Sequence, residues 1–239
     1  MIRVGTSGWT YKHWKGDFYP EDVPQRRWLE YYTKHFSTVE LNASFYRIPK
    51  AATARGWAGR TPAQFRFAVK ASRLITHVHR LSGCEETLQW FFRNLEPLEE
   101  KVCAYLFQLP PSFSPQPELL ESFLSLLPPV NRYVLELRNA ECYAGPVPEL
   151  LAKRGVGFCI HDLKGRETPE VVTSSLVYVR FHGPGGRYAG SYSDEALERW
   201  ASRISSWSDQ GRDVLAYFNN DVGGDAVRNA RTLREKIGP

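Results

Sequence analysis

The sequence predicts an α/β fold: a (β/α)8 barrel of the TIM type, formed by residues 1–239 as a single domain with long loops at the carboxyl ends of its strands. Three observations carry that prediction. Strand-like runs alternate with helix-like runs from one end of the chain to the other, the pattern of a parallel sheet with helical crossovers. Eight such repeats fit within 239 residues, the size of a closed barrel. Several strands are apolar on one face and carry polar residues only towards their carboxyl ends, as a packed barrel with a site at its rim requires. An open, doubly wound sheet is the alternative for the same alternation.

The first strand covers residues 2–7, and a long aromatic loop over 8–20 follows it. Trp28, Leu29, Tyr31 and Tyr32 are spaced for burial on a helix over 25–35. The second strand covers 38–44. Val39, Leu41 and Ala43 face one way and Glu40, Asn42 and Ser44 the other, because side chains alternate along a strand. A helix over 51–60 leads to strand 65–71, a loop to residue 81 and a helix over 85–99. Strand 102–109 is closed by Pro110 and Pro111, and helix 117–127 follows. Strand 133–138, helix 147–154 and strand 157–162 come next, the last with at most a short helix after it. A strand over 176–181, a helix over 194–209, a strand over 214–219 and a helix over 225–236 complete the series.

The apolar fraction of 42% and the aromatic content of 13% are enough to fill a large core. The formal net charge of +5 favours anionic partners in a general way and is equally served by solubilising surface charge. Cys84, Cys103, Cys142 and Cys159 show neither a C-x-x-C pair nor zinc-ligand spacing. Cys103 and Cys159 sit in apolar strands and read as buried thiols. A chain that opens on a strand is expected to carry no signal peptide, and no apolar run approaches the ~20 residues needed to span a bilayer. The expectation is a cytoplasmic protein with no membrane association.

The strand ends form a constellation. In order they deliver Thr6 and Ser7; Glu40, Asn42 and Ser44; Lys70; Gln108; Glu136 and Arg138; His161 and Asp162; Arg180 and His182; and Asn219, Asn220 and Asp221. Burying an unpaired ion costs several kcal/mol, so charges on inner strand faces point to a functional mouth. The alternative is a ring in which Glu40, Lys70, Glu136, Arg138 and Arg180 neutralise one another. Glu40 and Glu136 come from different sides of the barrel and could act as acid and base, as in sugar hydrolysis. They could instead hold a divalent cation with His161, Asp162 or His182. Lys70, Arg138, Arg180 and His182 suit a phosphate or carboxylate guest.

Two glycine-rich loops, 183–188 and 219–226, follow the last two strands, where barrels often bind phosphate. Their plain reading is loop flexibility, with Asp225 capping the final helix. Trp9, Tyr11, Trp14, Tyr46 and Tyr188, interleaved with Lys12, Lys15, Arg47 and Arg187, could stack bases or sugars. Phe18 and Phe45 are read as packing residues instead. His77 and His79 lie in a basic loop after the third strand and are read as loop hydrogen-bonders.

Long composite motifs carry a resemblance. The opening Gly5-Thr6-Ser7-Gly8-Trp9-x-Tyr11-x-x-Trp14-x-Gly16-x-Phe18-Tyr19-Pro20 resembles the start of the domain of unknown function 72 family, also called YecE-like. The match continues through Val39-Glu40-Leu41-Asn42-x-Ser44-Phe45-Tyr46-Arg47-x-Pro49, with Ser44 where Thr is commoner, and through Phe67-x-x-Lys70. Gln108-Leu109-Pro110-Pro111, Glu136-x-Arg138, Tyr178-Val179-Arg180-x-His182-Gly183 and Tyr217-Phe218-Asn219-Asn220-Asp221 complete it. One departure is Tyr143, which stands near the place where the family often has Trp after Glu-x-Arg. The resemblance implies a TIM-type barrel with a groove at the strand carboxyl ends, and it implies no particular reaction.

The residues themselves read as an enzyme acting by general acid–base chemistry, hydrolase-like, on a phosphate-containing substrate, nucleotides and nucleic acid included. Lys70, Arg138 and Arg180 would hold the anion and stabilise developing charge. Glu40 or Glu136 would be the base and His182 the acid. Asn42, Gln108, Asn219 and Asn220 would orient the substrate, with Trp9 and Tyr46 against it. No cofactor is expected, and a divalent metal is a variant. A carbohydrate hydrolase or isomerase using Glu40 and Glu136 is one alternative. A non-catalytic module for nucleic acid or an anionic metabolite is another.

Overall fold

A computed structural model describes every residue except Pro115, Asn131, Arg187 and Pro239. Among the described residues there are nine strands: β1 (Ile2–Thr6), β2 (Thr38–Leu41), β3 (Arg66–Lys70), β4 (Val102–Gln108), β5 (Tyr133–Glu136), β6 (Gly157–Leu163), β7 (Arg166–Glu167), β8 (Leu176–Phe181) and β9 (Asp213–Phe218). All except β7 run parallel in the order β1-β9-β8-β6-β5-β4-β3-β2. The sheet curls into a nearly closed TIM-type barrel, as the alternation predicts. Its two ends meet at one parallel bridge between Ser7 and Glu40, where the Gly8 N–H donates to the Glu40 carbonyl at 2.8 Å.

That seam has its own fasteners. The Tyr32 hydroxyl accepts the Thr6 N–H at 3.0 Å and reaches the Thr38 carbonyl at 3.2 Å, so one side chain ties β1 to β2 where the ladder is missing. Gly5 is required there by contact, since a Cβ would run into the Thr38 carbonyl oxygen.

Among the described residues, eight α-helices surround the sheet: α1 (Trp28–Tyr32), α2 (Ala43–Tyr46), α3 (Ala51–Gly59), α4 (Glu85–Leu95), α5 (Pro117–Ser125), α6 (Pro146–Lys153), α7 (Asp194–Asp209) and α8 (Asp225–Ile237). One local expectation is corrected and two are refined. The second strand stops at Leu41 instead of 44, and Ala43–Tyr46 forms one helical turn. The Ser44 hydroxyl turns back onto the carbonyls of Leu41 (2.9 Å) and Lys70 (2.6 Å), a local alternative to ladder pairing. The loop after β3 contains a wide π-type turn over Leu74–Val78. After β6 the chain forms a hairpin with β7 and no helix. Thr168 and Thr173 there accept the N–H groups of His161 (3.0 Å) and Phe158 (2.8 Å), so hydroxyls on an extended connector serve backbone groups of β6.

The larger core lies between sheet and helices. A second, smaller one fills the barrel: Ala68, Leu106, Val134, Cys159, Tyr178 and Tyr217 are among its members. Above this apolar plug, on the carboxyl side, the inward positions become polar. Among the described residues, no helix is long and apolar enough to cross a membrane.

Candidate functional site

The polar layer directly above the plug is an ion-pair cluster centred on Arg180, which β8 delivers two residues beyond Tyr178 on the same face. One arm of its guanidinium reaches Glu40 Oε1 at 2.7 Å, and the other pairs with Glu136 Oε2. Glu40 also accepts from the hydroxyls of Ser7 and of Tyr178, the latter at 2.7 Å. Arg138 Nε donates to Glu136 Oε1 at 2.7 Å. Glu40, Glu136 and Arg180 are fully buried. Burial alone would raise the Glu136 carboxyl, but the guanidiniums of Arg180 and Arg138 hold it well below the usual carboxylate range.

His182 is also fully buried. Asn219 Nδ2 lies 3.2 Å from its Nδ1, and its Nε2 lies 3.4 Å from Glu136 Oε1. Arg138 Nη2 also lies 3.5 Å from Nε2, so each ring nitrogen faces a side-chain nitrogen donor and Nε2 a carboxylate besides. Burial, then Arg180, pushes the imidazole down to about 3. At neutral pH it is uncharged, so the expected acid role finds no imidazolium to serve it.

Above the ion pairs opens a cavity of about 1030 Å³ at the strand carboxyl ends. Glu40, Glu136, Arg180 and His182 lie beneath its floor and do not line it. Lys70 and Arg138 reach it from below, and Arg73, His77 and Lys164 come from the surrounding loops. Asp221 is the one carboxylate among the described lining residues. Lys70, 6% exposed, sits with its ammonium nitrogen 4.0 Å from the centroid of the Phe45 ring. Burial, then the neighbouring Arg180, lowers its amine to about 7.

The remaining expected residues divide. Trp9, Asn42, Tyr46, Gln108 and Asn219 line the cavity. Asn42 Oδ1 is buried with no partner among the described residues, leaving an acceptor for a guest. Gln108 folds its amide onto the Leu109 carbonyl at 2.7 Å. Tyr46 stands at the rim, 74% exposed, and Trp9 packs edge-on against Trp57. Asn220 faces away from the cavity and is a structural tie, donating to Gly190 O (2.8 Å) and Asn229 Oδ1 (2.9 Å). Trp14, Phe18 and Tyr19 are buried core, with Tyr19 stacked on Trp28 at 4.5 Å.

The loop before α8 offers no ready anion seat. Gly224 precedes the helix, and Arg228 links the carboxylates of Asp17 (2.7 Å) and Asp225 (2.8 Å) across that end. Asp225 is therefore an ion-pair partner within the helix and not its cap. Arg187 lies outside the described residues. Among the described residues, no three of His, Cys, Asp and Glu gather as a metal site, the set around His161 and Asp162 included.

Sequence reasoning passed over Arg73, Lys164 and the role of Phe45. Lys164 carried a usable signal only in three dimensions: like Tyr188 it adopts left-handed backbone (φ 59° and 64°), a strain that collects at binding sites.

The model of a family described as "Protein of unknown function DUF72" matches residues 3–239. The chain is 30% identical to YunF of Bacillus subtilis (strain 168), covering 99% of this chain and 95% of that protein. It is equally 30% identical to YecE of Escherichia coli (strain K12), covering 99% and 93%. Among solved structures, a DUF72 family protein from Thermotoga maritima aligns with a TM-score of 0.90 at 30% identity over 99% of each chain. One from Enterococcus faecalis at 22% identity, TM-score 0.86, covering 99% and 95%, shares the fold. Motifs, barrel and whole-length similarity agree, and the chain belongs to the DUF72, YecE-like family.

Proposed function

We propose that the protein is an enzyme for a phosphate-bearing substrate, nucleotides included, with Lys70 rather than a carboxylate as its proton-transfer group. The observation that carries the reading is the cavity's ionisable lining: Lys70, Arg73, His77, Arg138 and Lys164 against Asp221 alone among the described residues.

Within the buried cluster, two carboxylates offset two guanidiniums, so Lys70 is the surplus charge when protonated. An amine near pH 7 can both take and return a proton under neutral conditions, which is where general acid–base catalysis works best. Arg138, held by Glu136, and Arg73 at the rim would grip the anion, and the guest would bring Asn42 the donor it lacks. Trp9 and Tyr46 supply flat apolar surface for a base or sugar ring. Arg180 acts from below as the strut that holds both glutamates. Sugar hydrolysis through Glu40 and Glu136 loses support, because both are fully buried and ion-paired away from the cavity.

A thermal-shift screen of inorganic phosphate, nucleotides, sugar phosphates, neutral sugars and divalent ions tests this. Phosphorylated compounds should raise the melting temperature, and less so in high salt. Stabilisation by neutral sugars alone would overturn it. Phosphate binding with no turnover of any compound would leave a binding module.

A further inference from the structure

We propose that Lys70 is a covalent nucleophile whose ε-amine condenses with the carbonyl group of a phosphate-bearing aldehyde or ketone. This rests on the anion-binding reading and names the substrate class within it.

Lys70 is distinguished by what it does not touch. Two carboxylates, Glu40 and Glu136, are close enough to act on it electrostatically. Yet each of their four oxygens already holds another donor. Ser7 and Arg180 hold Glu40 Oε1, and Tyr178 holds Oε2. Arg138 holds Glu136 Oε1, and Arg180 holds Oε2. Among the described residues, no hydrogen bond or ion pair reaches Lys70 Nζ, and its recorded neighbour is the face of Phe45. A lysine kept for charge balance would occupy a carboxylate. This one pairs with neither and lines a cavity of about 1030 Å³.

Its position is fixed from behind: Lys70 ends β3 opposite Leu106, and the Ser44 hydroxyl grips its carbonyl at 2.6 Å. The groups facing it are Glu40 of β2, Glu136 of β5, Arg138 beyond β5, Arg180 of β8 and His77 of the turn after β3. Burial and the guanidiniums favour the free amine, the form that attacks.

The chemistry balances without a co-reactant. The nitrogen lone pair attacks the carbonyl carbon, and one amine proton moves to the oxygen to give a carbinolamine. The C–O bond then breaks, the second amine proton leaves with the oxygen as water, and a C=N bond remains. The phosphate would lie towards Arg138 and Arg73.

Trapping tests it. The intact protein is treated with pyridoxal 5′-phosphate or with unphosphorylated pyridoxal, reduced with borohydride, and mapped by peptide mass. Lys70 should be labelled at least about tenfold faster than surface lysines near pH 7.5, since those remain protonated there. Labelling should fall off below pH 7, and inorganic phosphate should slow the phosphorylated probe alone. Label confined to surface lysines would overturn the imine. If phosphate still raised the melting temperature in that case, the anion reading would stand by itself. Equal Lys70 labelling by both probes, indifferent to phosphate, would keep the nucleophile and remove the anion. Because the readout is on the unsubstituted protein, it does not depend on any variant folding.

Discussion

At Arg180 a fully buried guanidinium is held by two fully buried carboxylates. Desolvating three ions is expensive, and the arrangement is stable only while every partner is present. Replacing Glu136 by Gln leaves Arg180 and Arg138 short of countercharge. Urea denaturation should show a loss of about 3–5 kcal/mol. A loss within the range of an exposed pair, about 0–1 kcal/mol, would mean that water reaches the cluster. His182 gives a second, milder test. Its folded value of about 3 lies below the ordinary 6.5, so the unfolded chain binds the extra proton first. The sign follows: His182 contributes no penalty above pH 6.5, and stability declines as pH falls from 6.5 towards 3. Its imidazole resonances should stay constant through neutrality, and a midpoint near 6.5 would show the ring to be solvated.

At the scale of the element, the β1–β2 seam is where the barrel is weakest in backbone bonds. Tyr32→Phe removes a hydroxyl that serves Thr6 and Thr38 together, leaving buried backbone groups unpaired. The expected cost is about 1–3 kcal/mol, with faster hydrogen exchange at Thr6 and Gly8 than at β4. Equal acceleration across all strands would show that the seam is no separate unit.

The elements were largely legible because eight parallel strands and their helices impose alternation and a helical period on the sequence. The exceptions share one cause. Asn42 and Ser44 continue the polar side of a strand pattern, but the Ser44 hydroxyl rewards a turn that periodicity does not register. The same limit applied to the site. Alternation shows which residues face inward, not how high each stands on the barrel axis. Residues two apart share a face yet differ by roughly 5 Å in height on a tilted barrel strand. Glu136 therefore lies in the ion layer while Arg138 reaches the cavity. Adjacent residues part altogether: Asn219 faces the cavity, and Asn220 faces α8.

For the whole molecule, the net charge of +5 gains meaning from its placement. Arg73 and Lys164 are exposed at the rim, where salt screens them, whereas Lys70 and Arg138 sit in the floor, where it screens less. Anion affinity should weaken with ionic strength, and Arg73→Ala with Lys164→Ala should flatten that dependence while leaving residual binding. Calorimetric titration over a salt series measures it. An unchanged slope would place the anion elsewhere.

The functional account turns on one amine. Lysines carrying ¹³C at Cε, followed by NMR across the pH range, report each side chain's titration, with Lys70→Arg assigning the signal. One resonance should titrate near pH 7 and move upward when inorganic phosphate is bound. A Lys70 midpoint at the ordinary lysine value of 10.5, unmoved by phosphate, would contradict the account.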